Sequence, residues 1–120
     1  MPPPIPARAS LLALHRALVE YERREYEKTH GRQTGAEFLQ ALISDPAFAW
    51  LGPLTALIVR LDEAEEEKDA DAERPAFSAA ARTLLATTDS PFSRRCAELV
   101  QKSPDVAFAY AAARRAVTTP

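Results

Sequence analysis

The chain has 120 residues, 47% of them hydrophobic and 27% charged, with a formal net charge of −2. That is the length of one domain and the composition of an ordinary globule, and no apolar run approaches the ~18 to 20 residues needed to cross a bilayer. A pI near 5.7 argues against a nucleic-acid domain, which is typically strongly basic, and a lone cysteine, Cys96, excludes an internal disulfide and fits a reducing, cytoplasmic setting.

The charge is unevenly laid out. From Asp62 to Arg74 there are eight acids and two bases, which reads as a solvated helix end or linker. Arginine outnumbers lysine by twelve to three, and with the abundant alanine this points to a GC-rich bacterial genome. Met1-Pro2-Pro3-Pro4-Ile5-Pro6 has neither the cationic region nor the apolar core of a secretory signal, so residues 1–9 read as an extended, proline-rich arm. A single helical domain is expected over 10–117, with 118–120 as a tail.

Ser10 can cap a first helix running to about Thr29, on which Leu11, Leu14, Leu18 and Tyr21 make one apolar stripe. Gly31 ends it, with Lys28 and His30 placed to interact with the negative end of the helix dipole. Thr34-Gly35-Ala36-Glu37 has the pattern of a capping box, opening a helix whose buried face is assigned to Phe38, Leu39, Leu42 and Ile43. Asp45-Pro46 then starts a short helical turn carrying Phe48 and the only tryptophan, Trp50.

Gly52-Pro53 breaks direction, and Leu54, Leu57, Ile58 and Leu61 define a further helix that continues into the acidic run. That run has no apolar stripe of its own, and a loop is expected from about Lys68 to Arg74 because helix without burial is marginal. After Pro75, Phe77, Ala80, Ala81, Leu84 and Leu85 repeat the helical spacing. Ser90-Pro91 caps a helix bearing Phe92, Cys96 and Leu99, and Ser103-Pro104 opens a last one with Val106, Ala109, Tyr110, Ala113 and Val117. No segment alternates with period two. The class is all-α, a compact orthogonal or irregular bundle of five to seven helices.

Leu14-His15-Arg16, Glu22-Arg23, Tyr26-Glu27, His30-Gly31 and Asp45-Pro46-x-Phe48-Ala49-Trp50-Leu51-x-Pro53-Leu54 together resemble a group of small, uncharacterised bacterial helical proteins. The resemblance covers roughly the first half of the chain. It implies a helical fold and no established activity, so no catalytic residue carries over. Gly52 stands where the group's pattern has a basic residue, and an anion-binding role for that corner does not carry over either.

His15, Glu22 and Glu25 fall in the same sector of the helical wheel as Leu11, Leu14 and Leu18. Polar groups so placed face the core or a groove, where they can act as an acid/base pair or hold a divalent ion; the structural alternative ties the glutamates to arginines of another helix and His15 to a carbonyl. No Glu-x-x-His pair occurs, which removes a ferritin-like di-iron centre, and no other metal set or cofactor is implied. Tyr21 and Tyr26 lie among Arg23, Arg24, Lys28 and Arg32, a mixture able to touch nucleic acid. The acids interleaved with them favour pairs within the helix instead.

Phe48 and Trp50 belong either to the core or to an apolar groove that receives a partner helix. No Gly-rich phosphate loop, HExxH, paired-cysteine zinc spacing or GxSxG elbow is present. The reading favoured by these residues is a protein–protein interaction or regulatory module, self-associating or partner-bound, with Phe48, Trp50, Tyr21 and Tyr26 as contact candidates. Two alternatives stay open: an activity at His15, Glu22 and Glu25, and a nucleic-acid-binding bundle.

Overall fold

The computed structural model describes the backbone over residues 6–66 and 70–118 and side chains over 8–63 and 76–117. In chain order, α1 (Pro6–His30), α2 (Gly35–Ser44), a 3-10 helix (Pro46–Leu51), α3 (Gly52–Glu66), α4 (Ala70–Ala86), α5 (Pro91–Lys102) and α6 (Pro104–Thr118) make up the fold. No strand occurs among the described residues. The all-α bundle expected from the apolar spacing is therefore the observed architecture.

The 25 residues of α1 give it a length of about 37 Å, most of the 45 Å long axis of the molecule. Its stripe of Leu11, Leu14 and Leu18 is fully buried. Around it close Leu54 and Leu61 of α3, Phe77, Ala81 and Leu85 of α4, Phe92, Cys96 and Leu99 of α5, and Val106, Ala113 and Val117 of α6, in one continuous core. The pairing of α1 with α6 is the most extensive between helices. Alanines at Ala109 and Ala113 allow that closeness, because small side chains on α6 let the α1 leucines reach the layer behind.

Helix starts follow local chemistry. Thr34 Oγ1 accepts from the Glu37 amide at 3.1 Å while the Glu37 carboxylate accepts from the Thr34 amide at 3.0 Å, the full capping box. These bonds hold the Glu37 carboxyl below its ordinary range, the Thr34 amide contributing most. Asp45 accepts from the Ala47 amide ahead of Pro46, and Ser90 from the Ser93 amide ahead of Pro91. Both are polar caps followed by a proline at the first helical position, where its missing amide costs nothing.

The α1–α2 turn is held from two sides. Gly31 takes φ of +79° and its amide donates to Glu27 O at 2.9 Å. Arg23 Nη2 donates to Gln33 O at 2.7 Å, and the Gln33 amide donates to Glu27 Oε2 at 2.7 Å. Above them Tyr26 stacks on His30, centroids 3.9 Å apart, and meets Phe38 and Phe48 at 5.7 and 5.8 Å. Phe38 and Phe48 also meet edge-on at 5.6 Å. This aromatic cluster anchors α2 and the 3-10 helix to the end of α1.

Three expectations change. The first helix begins at Pro6, so residues 6–9 are not part of an arm and Ser10 is an interior residue; the rest of the expected arm, 1–5, lies outside the described residues. Proline is preorganised for a first helical position, and Arg8 Nη2 bonds Asp62 Oδ1 on α3 at 2.8 Å, tying that first turn to the bundle. The loop expected over Lys68 to Arg74 is helical from Ala70 onward, with 67–69 outside the described residues. α4 runs through Pro75 instead of starting there; as the sixth residue of the helix, Pro75 forgoes its own i→i−4 hydrogen bond and crowds the carbonyl one turn back, a local cost that the helix absorbs. Leu39 and Ile43, assigned to the buried face of α2, are 57% and 73% exposed.

The two glycines around the first turn separate backbone from packing effects. Gly31→Ala should lower stability by about 1 kcal/mol, because the left-handed conformation disfavours a Cβ. Gly35→Ala, in ordinary helix with nothing within 4 Å of the added Cβ, should raise it by up to about 0.5–1 kcal/mol. Urea denaturation of the two variants side by side checks both signs.

Candidate functional site

α2 is short and strongly apolar, and it packs chiefly on the 3-10 helix behind it. Phe38 and Leu42, one turn apart, point inward; Leu39 and Ile43, also one turn apart and about 100° round the helix, point outward. Four large apolar side chains in ten residues cover more of the helix than one contact can hide. Between α2, the 3-10 helix, the middle of α1 and the start of α3 lies a groove of about 500 Å³. Leu39, Leu42 and Ile43 form one wall, Val19 and Leu51 the floor, and Thr55 and Ala56 the far side. Half-exposed Val59 follows one turn later on the same face of α3.

Two polar side chains enter this groove, and they bond each other. His15 Nε2 lies 3.0 Å from Thr55 Oγ1, and Thr55 Oγ1 donates to Leu51 O at 3.1 Å. With its single hydrogen on the carbonyl, the hydroxyl accepts from His15 when the imidazole carries its proton on Nε2. Burial among apolar side chains holds the His15 pKa below its ordinary value of 6.5.

The other members of the His15, Glu22, Glu25 set go elsewhere. Glu22 is only 6% exposed and its Oε1 accepts from Arg95 Nε at 3.0 Å and Nη2 at 2.7 Å across the bundle. Arg95 Nη1 also donates to Glu98 at 2.9 Å. Burial works against the Arg95 charge, but the bonds and charges of Glu22 and Glu98 outweigh it and raise its pKa. Glu25 pairs with Lys28 at 3.0 Å on the surface of α1. The three side chains share a helix face but engage α3, α5 and α1 itself, and no group of three or more His, Cys, Asp or Glu among the described residues is placed to hold a metal ion.

The contact candidates divide as well. Phe48 is buried in the aromatic cluster and contributes to one side of the groove. Tyr26 belongs to the same cluster. Trp50 packs half-buried on the core with its ring 6.0 Å from Phe92. Tyr21 lies on the opposite flank of α1, beside α6. Arg23, Arg24 and Lys28 each lie against a carboxylate one turn away, Glu27, Glu20 and Glu25. Cys96 is fully buried, and burial pushes its thiol up to about 12, which leaves no thiolate for chemistry near neutral pH.

Sequence reasoning missed Thr55 as the partner of His15, and it missed the outward turn of Leu39 and Ile43. The first leaves no signal, since a threonine forty residues away is one of many hydroxyls. The second does: two adjacent apolar stripes on one short helix exceed the width of a single buried face. Comparison with known protein families, with curated proteins and with solved structures finds no match, so the geometry of this chain is the ground for what it does.

Two outcomes test these assignments. Arg95→Met should destabilise the fold by about 2–3 kcal/mol, somewhat below the full cost of orphaning a buried charge because Arg95 is partly exposed, and adding Glu22→Gln should recover most of it. Thermal unfolding of the single and double variants reads both. For His15 the folded state binds its proton less readily than the unfolded chain, so its contribution falls as pH drops below about 6.5 and is constant above. His15→Gln should flatten that part of the stability–pH curve.

Proposed function

We propose that this chain is a helical docking module that holds an apolar helical segment of a partner protein in the groove between α2 and α3. One observation carries the reading: Leu39 and Ile43 stand exposed beside a groove whose two polar side chains among the described residues, His15 and Thr55, bond each other. An exposed apolar ridge beside an apolar hollow is what an amphipathic helix covers, its large side chains entering at spacings of three and four residues. An occupant finds no charge to match on the groove walls, so the partner's contact face is uncharged and aliphatic or aromatic.

The chemistry of the remaining residues supports binding over turnover. An acid/base catalyst needs a titrating group with an open hydrogen-bonding position toward substrate. Glu22 is closed by Arg95, Glu25 lies at the surface with Lys28, and Cys96 is sealed in the core. Arg23, Arg24 and Lys28 of α1 lie against carboxylates of the same helix, which weakens the nucleic-acid alternative.

Ile43→Asp tests the docking reading. The side chain is largely solvent-exposed, so the change should alter stability by no more than about 0.5 kcal/mol while a charge in the ridge lowers partner affinity at least about tenfold. Stoichiometric co-purification of a protein with the wild-type chain, lost with Ile43→Asp, is the expected result. Retention of the same partner at unchanged affinity by Ile43→Asp, or a wild-type chain that retains nothing, would overturn it.

A further inference from the structure

The flank of α1 opposite the groove carries a second surface. There α1 and α6 lie side by side over a shallow trough of about 480 Å³, floored by Ala13, Ala17, Ala109 and Ala112. Phe108 stands in it with 80% of its surface exposed, the barest large apolar side chain among the described residues. An aromatic ring raised beside a run of alanines is a knob next to a hollow, both offered by the same face. Along the α1 edge run Arg16, Glu20 and Arg24, and Asp105 lies on the α6 side. Arg24 is paired with Glu20 at 3.3 Å, whereas Arg16 and Asp105 make no ion pair within the described residues.

We infer that this face is a twofold interface between two copies of the chain, with Phe108 of each copy seated on the alanine floor of the other and Arg16 of each paired with Asp105 of its partner. The charges select the occupant. A rim with one free cation and one free anion is complementary to itself after a half-turn, whereas a nucleic acid or a strongly charged protein would match only one of the two signs. The knob and the hollow obey the same symmetry: a twofold axis through the face brings each ring over the other's trough. Buried aromatics at the centre of such a contact carry much of its affinity, and charge pairs at its edge set register and on-rate.

The face is narrow, about 17 Å along α1 from Ala13 to Arg24. It therefore fits the smaller class of interfaces and a dissociation constant of about 1–100 µM. It is separate from the groove between α2 and α3, and the proposal stands without that groove.

Sedimentation equilibrium of the full chain over about 1–300 µM, a span set by that constant, tests the dimer, and three variants test the face. Phe108→Ser should raise the dissociation constant at least about tenfold. Arg16→Asp should raise it about fivefold or more at low salt by facing two acids across the axis, and adding Asp105→Arg should restore dimerisation to within about threefold of wild type. Restoration by the swapped pair has no explanation in folding, since each single change touches an exposed side chain. Asp105→Arg removes a favourable charge from the first turn of α6, so every variant is compared below its own melting transition. A wild-type chain that stays monomeric throughout, a dimer indifferent to Phe108→Ser, or one that the charge swap fails to restore would overturn the inference. So would a dimer dissolved by Ile43→Asp and untouched by Phe108→Ser, which would place the contact at the groove.

Discussion

The burial of the α1 leucine stripe against α6 is the constraint on which everything else in this molecule depends. Leu11, Leu14 and Leu18 lie at the bottom of the core with no exposed surface, and four other helices converge on them. A helix of this length would be marginal in water by itself; its stability comes from the layer it buries. The two flanks of α1 beside that stripe border two of the exposed apolar regions among the described residues. One flank, through His15 and Val19, lines the α2–α3 groove, and the other, through Ala13, Ala17 and Tyr21, meets α6.

The polar groups caught near that spine are closed rather than poised. Glu22 lies where the leucine stripe would place its next member, and Arg95 reaches over from α5 to neutralise it with two hydrogen bonds to one oxygen. An apolar pair of similar volume would fill the same space at no desolvation cost, so the ion pair is weak ground for stability; what it supplies is a single register between α1 and α5. His15 is tied into a relay that ends on the Leu51 carbonyl, with its neutral form preferred by its surroundings. Groups satisfied in this way orient helices, and they leave recognition to the apolar surface around them.

Much of this was legible beforehand because it is local. The capping box at Thr34, the caps at Asp45 and Ser90, the stop at Gly31 and the apolar stripes of α1, α3, α4, α5 and α6 are written in spacings of three and four residues, and local hydrogen bonds realise them wherever the rest of the chain goes. The misreadings are equally physical. Lys68 to Arg74 reads as a loop because it has no apolar stripe, yet α4 starts at Ala70 and carries Pro75 as an interior residue, at the cost of one hydrogen bond and a crowded carbonyl. Pro6, read as part of an arm, belongs to α1, whose Arg8 bonds Asp62 on a helix fifty-four residues later, a contact that no window of sequence contains.

By itself the sequence determined the class, bounded the helices at five to seven and marked the capped turns and most of the buried stripes, since these follow from backbone hydrogen bonding and apolar periodicity within a few residues. It narrowed the chemistry to a handful of polar side chains on the first helix without deciding their partners. Only the tertiary structure decided that Glu22 is taken by Arg95, that His15 is taken by Thr55, and that Leu39, Ile43 and Phe108 are left uncovered. The reason is that a helix face is buried or exposed according to how many neighbours reach it. That number depends on how α1 sets the remaining helices around its stripe, not on the residues of the face itself.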